Sequence, residues 1–177
     1  MNTVAFTGYR PQKLPFSEDY NDPRYYAFSE KLKRVIERLI ELGYTDFISG
    51  VAIGFDTWAA EAVLEAKKKY QNIRLECAIP YPGQDRKWDT SDKIRRKKLI
   101  SEADSATTVC KHYCEGCFFI RNEYMVDKAD VVVCCFDGKS GGTAQTVRYA
   151  KEKDKIIIQI NPNDAKVTFI SMRKFNR

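Results

Sequence analysis

The residues with the clearest capacity for chemistry form the run Ser140-Gly141-Gly142-Thr143, which follows an apolar segment at 130–136. Adjacent glycines let backbone N–H groups approach an anion closely. The helix expected after them adds unpaired amides and the positive end of its dipole. The pattern is typical of a phosphate-binding loop, so it indicates a class of ligand before it indicates a reaction.

Three further polar, glycine-containing segments follow apolar runs that read as strands. They are Thr7-Gly8-Tyr9-Arg10, the segment from Ser49 to Asp56, and the segment from Pro80 to Gln84. In open parallel sheets, ligands bind in a crevice outside the carboxyl ends of the strands. We therefore expect the four loops to line one binding crevice.

Two charged residues in these loops are candidates for direct ligand contacts. The planar guanidinium of Arg10 can donate two parallel hydrogen bonds to a phosphate or carboxylate, and a surface ion pair is the alternative. Asp56 can accept from a ribose hydroxyl or a base edge. It can equally stabilise the N-terminus of the helix that begins there.

The loops must be positioned by an alternating series of strands and helices. Helical spacing of Phe28, Leu32, Ile36 and Leu39 predicts a helix over 25–42, which Gly43 ends. The same reading along the chain predicts strands at 3–7, 45–49, 73–79, 106–109, 130–136 and 156–160. Six strands separated by helices predict one α/β domain over 1–162, with a mainly parallel sheet between two helical layers, followed by a weakly specified tail at 163–177.

Composition narrows the class of protein. A chain of 177 residues that is 44% apolar fits a single globular domain. No basic leader precedes the first strand, and no apolar stretch reaches membrane-spanning length, so we expect a soluble cytoplasmic protein without membrane partners. The net charge of +6 comes largely from the clusters at 67–69 and 95–98, which we interpret as solvated helix faces rather than a nucleic-acid surface.

The six cysteines do not predict a disulfide framework, because Cys77, Cys134 and Cys135 lie inside apolar runs. A second group combines cysteines with the only histidine, at Cys110, His112, Cys114 and Cys117. Zinc sites usually join two ligand pairs that are a dozen or more residues apart, whereas this group lies within eight residues. We favour a thiol loop beside the crevice over a metal site.

Four segments, in order, resemble the SLOG superfamily, which includes the DNA-processing Smf/DprA proteins and the LOG-type cytokinin-activating phosphoribohydrolases. They are Thr7 to Arg10, Ser49 to Asp56, Arg121 to Val126 and Ser140 to Thr146. The runs from Pro80 to Trp88 and from Arg121 to Thr146 are similar to the small bacterial YpsA-like proteins. The resemblance extends from Thr3 to about Ile160 and implies a Rossmann-like fold with a site for a nucleotide or nucleotide-derived ligand.

By position, the resemblance implies that one pocket is formed by Thr7, Gly8, Arg10, Gly50, Gly54, Asp56, Arg121, Asn122, Ser140, Gly141, Gly142, Thr143 and Thr146. It also makes a homodimer or larger assembly reasonable. Tyr9, Tyr81 and Trp88 are candidates to stack on a base, although Trp88 can equally anchor its own loop.

One departure from the superfamily bears on catalysis. The phosphoribohydrolase loop carries a glutamate where alignment of the double glycine places Arg148, and a cation cannot serve as that carboxylate. Only Glu123 or Asp137 could substitute, if geometry allowed. The leading hypothesis is therefore binding or sensing of a nucleotide or ADP-ribose-like ligand, with no certain cofactor. The alternatives are a phosphoribohydrolase-like hydrolase and a single-stranded DNA-binding protein of Smf/DprA type.

Overall fold

A computed structural model of the chain describes residues 2–171. It has five helices, α1 to α5, and seven strands, β1 to β7. A short 3-10 turn, Pro11–Lys13, follows the first strand. In chain order the elements are β1 (Thr3–Gly8), α1 (Pro23–Glu41), β2 (Asp46–Ser49), α2 (Phe55–Lys67), β3 (Arg74–Ile79), α3 (Thr90–Glu102), β4 (Ser105–Thr108), α4 (Cys117–Lys128), β5 (Val131–Cys135), α5 (Gly142–Glu152), β6 (Ile156–Ile160) and β7 (Val167–Ser171).

The strands form one sheet in the order β4-β3-β2-β1-β5-β6-β7. The first six strands are parallel, and β7 pairs antiparallel with β6. Helices α1, α2 and α3 cover one face of the sheet, and α4 and α5 cover the other. This arrangement confirms the predicted Rossmann-like α/β/α sandwich with a mainly parallel sheet.

Two cores, one on each face of the sheet, follow from the alternation of side chains along the strands. In β1, Val4 and Phe6 point into the core beneath α1 and α2, whereas Ala5 belongs to the core beneath α4 and α5. All five residues of β5 are buried, as expected for a central parallel strand with both faces covered. The sheet therefore holds its carboxyl-end loops on a rigid base.

The helix predicted over 25–42 begins two residues earlier, at Pro23. The Asp22 carboxylate accepts from the Arg24 amide at 2.8 Å and caps the helix N-terminus. Pro23 fits the first helical position because it needs no hydrogen-bond acceptor there. A cap that precedes the apolar stripe explains the displaced boundary.

The predicted number of strands was wrong by one, because β7 lies within the segment interpreted as a weakly specified tail. The hairpin before it has no glycine: Ala165 takes the positive φ of 54°, and the Asn161 side chain accepts from the Asn163 amide at 2.9 Å. The usual signal for a hairpin turn was therefore missing. The remainder of the predicted tail, residues 172–177, lies outside the described residues. Within residues 2–171, no helix is both long and apolar enough to span a membrane.

Candidate ligand-binding site

A pocket of about 320 Å³ opens at the carboxyl edge of the sheet, where the strand order changes direction. The chain reaches β4 at one edge, crosses through α4, and continues from β5 on the other side of β1. Such a switch point leaves a crevice between the loops that diverge from it. The pocket is lined by Thr7, Gly8, Tyr9, Arg10, Gln12, Lys13, Ala52, Asp56, Phe118, Arg121, Asn122, Gly142 and Thr143.

Eight of the thirteen residues predicted for the pocket line it directly, and the other five lie just behind its wall. Gly50 lies beneath Asp56 and Arg121, and Gly54 precedes α2. Ser140 and Gly141 lie at the N-terminus of α5 beside Lys13. Thr146 is buried, accepts from Asn122 Nδ2 at 2.9 Å and donates to the Gly142 carbonyl at 3.1 Å. This last contact fixes the start of α5 against α4.

Arg121 is a buried cation in the pocket wall, with only 3% of its surface exposed. Its Nη1 donates to the carbonyls of Gly50 and Ala78, and its Nε donates to Asn122 Oδ1 at 2.9 Å. Among the described residues, Nη2 has no hydrogen-bond acceptor and no carboxylate lies within ion-pair distance of the guanidinium. Two carbonyls and an amide therefore orient the guanidinium without neutralising its charge.

Asp56 is the matching buried anion, 6% exposed, at the first turn of α2. Burial raises the pKa of its carboxyl to about 6, against the opposing influence of Arg121 and Arg10. Burial also lowers the pKa of Arg121, while Asp56 raises it. Two opposite charges that face one pocket without a direct ion pair are an arrangement found at functional sites.

Gly50 is what allows the two buried charges to converge. A Cβ added there would lie 2.1 Å from Arg121 Nη1 and 2.6 Å from Asp56 Oδ2. No side chain fits at those distances, since real contacts of a Cβ are longer. The sequence identified Gly50 by resemblance, and the structure supplies the steric reason for glycine.

The N-terminus of α5 lies across the pocket from these charges. Among the described residues, no side chain caps it, and its first turn has no acidic residue, so its leading amides have no such acceptor. Gly141, the residue before the helix, has a φ of 141° that favours glycine. These features fit the anion-binding loop expected from the sequence.

Lys13 joins the loop after β1 to this helix. Its Nζ donates to the Ser140 carbonyl at 3.0 Å and lies 5.4 Å from the centre of the Tyr9 ring. Within residues 2–171, no carboxylate pairs with the Lys13 ammonium, which lies near the positive N-terminal end of α5. An anion bound between Lys13 and this helix end would offset the repulsion between their positive charges.

Tyr9 fastens the loop after β1 to the loop after β5. Its hydroxyl donates to the Asp137 carboxylate, and its ring packs edge-on against Phe136 at 6.0 Å. Burial, followed by the bond to Asp137, raises the pKa of Tyr9 to about 12. Burial opposes ionisation of Asp137, but the Lys139 ammonium and the Tyr9 hydroxyl outweigh it and hold the pKa of Asp137 below its usual range.

The aromatic residues predicted to stack on a base differ in position. Tyr9 lines the pocket but is 3% exposed, which leaves little of its ring for stacking. Tyr81 packs edge-on against Phe118 at 5.8 Å, and Trp88 lies beneath Arg96 at 5.9 Å. Neither of these two lines the pocket, whereas Phe118 does, with the Arg10 guanidinium 5.8 Å from its ring.

Sequence reasoning missed Gln12, Lys13, Ala52 and Phe118. Lys13 lies one 3-10 turn after Arg10, and Phe118 lies one helical turn before Arg121, so both spacings carried a usable signal. The resemblance assigned no site residue at these four positions, and propensity does not distinguish them from surface residues.

No residue of the cysteine-rich loop at 110–117 is among the described residues that line the pocket, whereas Phe118, which follows the buried Cys117 on α4, does line it. Cys114 is exposed, and its backbone carbonyl accepts from the Cys117 amide at 3.1 Å. Among the described residues, no group of three or more His, Cys, Asp or Glu side chains is arranged to hold a metal ion.

The residues considered for a catalytic role do not line the pocket. The two candidate carboxylates, Glu123 and Asp137, are not among its lining residues. Arg148, at the position of the superfamily glutamate, is exposed on α5 and does not line the pocket either. Asp56 is the one carboxylate among the described lining residues.

A larger depression of about 420 Å³ lies at the opposite, amino-terminal edge of the sheet. Its charged side chains are largely neutralised by one another or by neighbours, with Lys128 2.7 Å from Glu76 and Lys67 2.5 Å from Asp104. We therefore place the candidate site at the carboxyl edge despite its smaller volume.

Solved structures define the class of fold. DNA processing protein A (DprA) from Streptococcus pneumoniae superposes with a TM-score of 0.61, at 18% identity, over 90% of this chain and 50% of that one. DNA processing protein A from Helicobacter pylori, described for its single-stranded DNA binding mode, gives 0.58 at 19% identity, over 89% and 64%. At these identities the likeness establishes the Rossmann-like fold. The chain spans only half to two thirds of these proteins' length.

Sequence comparison identifies the family. Residues 4–173 match the family model described as the YspA SLOG family, and the chain belongs to that family. UPF0398 proteins from Bacillus thuringiensis (strain Al Hakam) and Bacillus cereus (strain Q1) are each 28% identical to it over 160 residues, which is 88% of this chain and 86% of theirs. The resemblance seen in the sequence is thereby confirmed.

Proposed function

We propose that this chain binds a nucleotide or a nucleotide-derived, ADP-ribose-like ligand in the pocket at the carboxyl edge of the sheet. The observation that carries the proposal is the pair of buried charges Asp56 and Arg121, which face one pocket without forming an ion pair. A buried charge left without a partner is costly, and a ligand that supplies the missing partners offsets that cost.

The lining residues suggest how such a ligand is held. Among the described lining residues, Arg10, Lys13 and Arg121 are cations and Asp56 is the single carboxylate, so the pocket favours an anion. Phosphate oxygens accept from the first amides of α5 and from Lys13. Asp56 accepts from a sugar hydroxyl or a base amino group, and Phe118 offers an aromatic surface to the base.

The volume of the pocket limits how much of the ligand it can enclose. A pocket of about 320 Å³ is at the lower end of the range for small-molecule sites, roughly 300–1,000 Å³. We therefore expect one nucleoside phosphate unit to be enclosed, with any second sugar extending toward solvent past Gln12.

A thermal-shift panel of nucleosides, mononucleotides, dinucleotides and ADP-ribose tests the proposal. We expect saturable stabilisation by a phosphorylated member of the panel and none by the free nucleoside, and we expect the effect to be lost in Asp56→Ala and kept in Arg148→Ala, an exposed residue on α5. Chromatography of the stabilising compound after incubation reads out turnover directly. No stabilisation by any phosphorylated compound would count against the proposal.

Single-stranded DNA binding is the second candidate, and it is favoured by the distribution of unpaired cations. The loops after β1, β3 and β4 carry Arg10, Arg86, Lys87 and Lys111, none of which forms an ion pair among the described residues. All four lie at the edge of the sheet where the pocket opens. The structurally similar protein from Helicobacter pylori is described for single-stranded DNA binding.

The two candidates differ in their response to salt. Binding that neutralises several phosphates weakens steeply as salt rises, whereas a single nucleotide loses affinity much less. We expect an Arg86→Ala, Lys87→Ala, Lys111→Ala variant to lose oligonucleotide binding and to keep mononucleotide binding. If this variant still binds oligonucleotides, Arg86, Lys87 and Lys111 are not the basis of that binding.

A further inference from the structure

A second surface, remote from the candidate site, has the character of a docking groove. It lies between α1 and the edge strand β7, has a volume of about 310 Å³, and is lined mainly by apolar side chains. Leu42 and Phe169, at opposite sides of the groove, are 60% and 57% exposed. Large apolar side chains exposed together in a groove indicate a binding surface.

The groove exists because the helical layer is narrower than the sheet. Phe169 pairs with Ile158 of β6, and Val167 pairs with Ile160, so both β7 side chains point to the face covered by α1. Among the described helices, α1 and α5 make the main contacts with β6, and α5 lies on the other face of the sheet. One more helix beside α1 would cover the apolar strip.

The α1 side of the groove consists of two parallel stripes. Val35, Leu39 and Leu42 recur at spacings of four and three residues and form the apolar stripe. Lys31, Arg34 and Arg38 form a second stripe of the same period beside it. No acidic residue is among the described lining residues. Arg38 also contacts Glu41 at 3.0 Å, an exposed pair that water and salt weaken.

This charge distribution selects among possible occupants. A twofold contact between two copies would bury two cationic stripes in one interface with no acidic side chain among the described lining residues to pair with them, which is unfavourable. The residues after Ser171 include Arg173, Lys174 and Arg177, which carry the same sign as the stripe. A helix with an apolar stripe and acidic residues on one flank complements both stripes of α1: its apolar side chains pack on the apolar stripe, and its carboxylates pair with the cationic one.

We propose that the groove between α1 and β7 docks an acidic amphipathic helix of another protein. The docked helix lies beside α1, its apolar side chains contact Val35, Leu42 and Phe169, and its carboxylates pair with Lys31, Arg34 and Arg38. The surface is independent of the nucleotide pocket, so the proposal does not depend on what that pocket binds.

Two synthetic helical peptides test this directly. Both carry a leucine stripe, one flanked by glutamates and the other by lysines, and fluorescence anisotropy measures their binding to the full chain. We expect the glutamate peptide alone to bind, with an affinity that falls as salt rises. We expect the glutamate peptide to bind Leu42→Glu at least about tenfold more weakly than wild type. The carboxylate introduced at position 42 would then be buried against the leucine stripe of the peptide.

Ile94→Glu is the matched control, because Ile94 is an isoleucine on α3, 64% exposed and outside the groove. The double variant Arg34→Glu, Arg38→Glu should lose the glutamate peptide and gain the lysine peptide, a result that loss of folding would not produce. The proposal is overturned if neither peptide binds wild type, if both bind equally, or if Leu42→Glu behaves like Ile94→Glu. A wild-type dimer in sedimentation that dissociates in Leu42→Glu would assign the groove to a second copy instead.

Discussion

Arg121 donates through Nη1 to the backbone carbonyl of Gly50, joining α4 to the loop that follows β2. The contact spans 71 positions of the chain and holds a buried guanidinium at the edge of the pocket. It is possible only because residue 50 has no side chain. The candidate site therefore depends on a steric relationship as much as on charge.

Gly50→Ala should disturb this relationship. The added Cβ would lie 2.1 Å from Arg121 Nη1, which forces the guanidinium or the loop to move. We expect a loss of roughly 1–3 kcal/mol in the free energy of unfolding, together with loss of ligand binding. For stability, Gly142→Ala is the control, because no atom lies within 4 Å of the Cβ it adds; Gly142 lines the pocket, so this control does not apply to binding. Urea denaturation measures the stability of both variants, and equal stabilities would contradict the steric argument.

We expect Asp56 to make the free energy of unfolding depend on pH. The pKa of the Asp56 carboxyl is about 6 in the folded protein, whereas the ordinary value for an aspartate is 3.8. The folded state therefore binds the proton more tightly than the unfolded state does. Its contribution is fully present below about pH 3.8 and is lost as the pH rises through about 6. Relative to Asp56→Asn, the free energy of unfolding of wild type should fall by on the order of 2–3 kcal/mol between these limits.

Urea denaturation of wild type and Asp56→Asn across this pH range checks the prediction. Because asparagine does not titrate, the difference between the two curves isolates the carboxyl from the other acidic groups. Curves that remain parallel would mean that the carboxyl of Asp56 titrates alike in the folded and unfolded chains.

Lys13→Met should weaken binding of a phosphorylated ligand without destabilising the fold. Lys13 is exposed, and its one hydrogen bond is to the Ser140 carbonyl, so little structure depends on it. Loss of a charge-assisted bond to phosphate predicts about a tenfold rise in Kd. Lys139→Met, which removes a nearby exposed lysine paired with Asp137 at 2.8 Å, is the control. Identical Kd values for the two variants would remove Lys13 from the site.

Tyr9→Phe should destabilise the loops on both sides of the pocket. It removes the hydroxyl that donates to Asp137 and leaves that carboxylate with Lys139 and the Lys139 amide. We expect a loss of roughly 1–2 kcal/mol in the free energy of unfolding. Tyr26→Phe, at a tyrosine that is 68% exposed, should change it very little. If both variants unfold alike, the Tyr9 hydroxyl does not contribute to stability.

The sequence was sufficient for the first six strands and for the residues that resemble a known superfamily. Apolar periodicity located α1 to within two residues, because its buried stripe is regular and Gly43 ends it. The pattern failed at β7, where a positive φ at Ala165 replaces the expected glycine. It also failed to select Phe118 and Lys13, since their role follows from where α4 and the 3-10 turn lie in space.

The two stripes of α1 illustrate the same limit. Spacing alone places Leu42 on an apolar stripe with Leu39, but Leu39 is buried and Leu42 is exposed. The difference depends on how far the sheet extends beyond the helix. That extent is set by β7, the one strand of residues 2–171 that the sequence did not reveal.

Isothermal titration of AMP and ADP-ribose into wild type, Arg121→Gln and Arg148→Gln tests the central claim most directly. Circular dichroism confirms that each variant is folded. We predict one-site binding of at least one of the two compounds to wild type and Arg148→Gln, and none to Arg121→Gln. Undetectable binding to wild type, or equal binding to Arg121→Gln and wild type, would contradict the account.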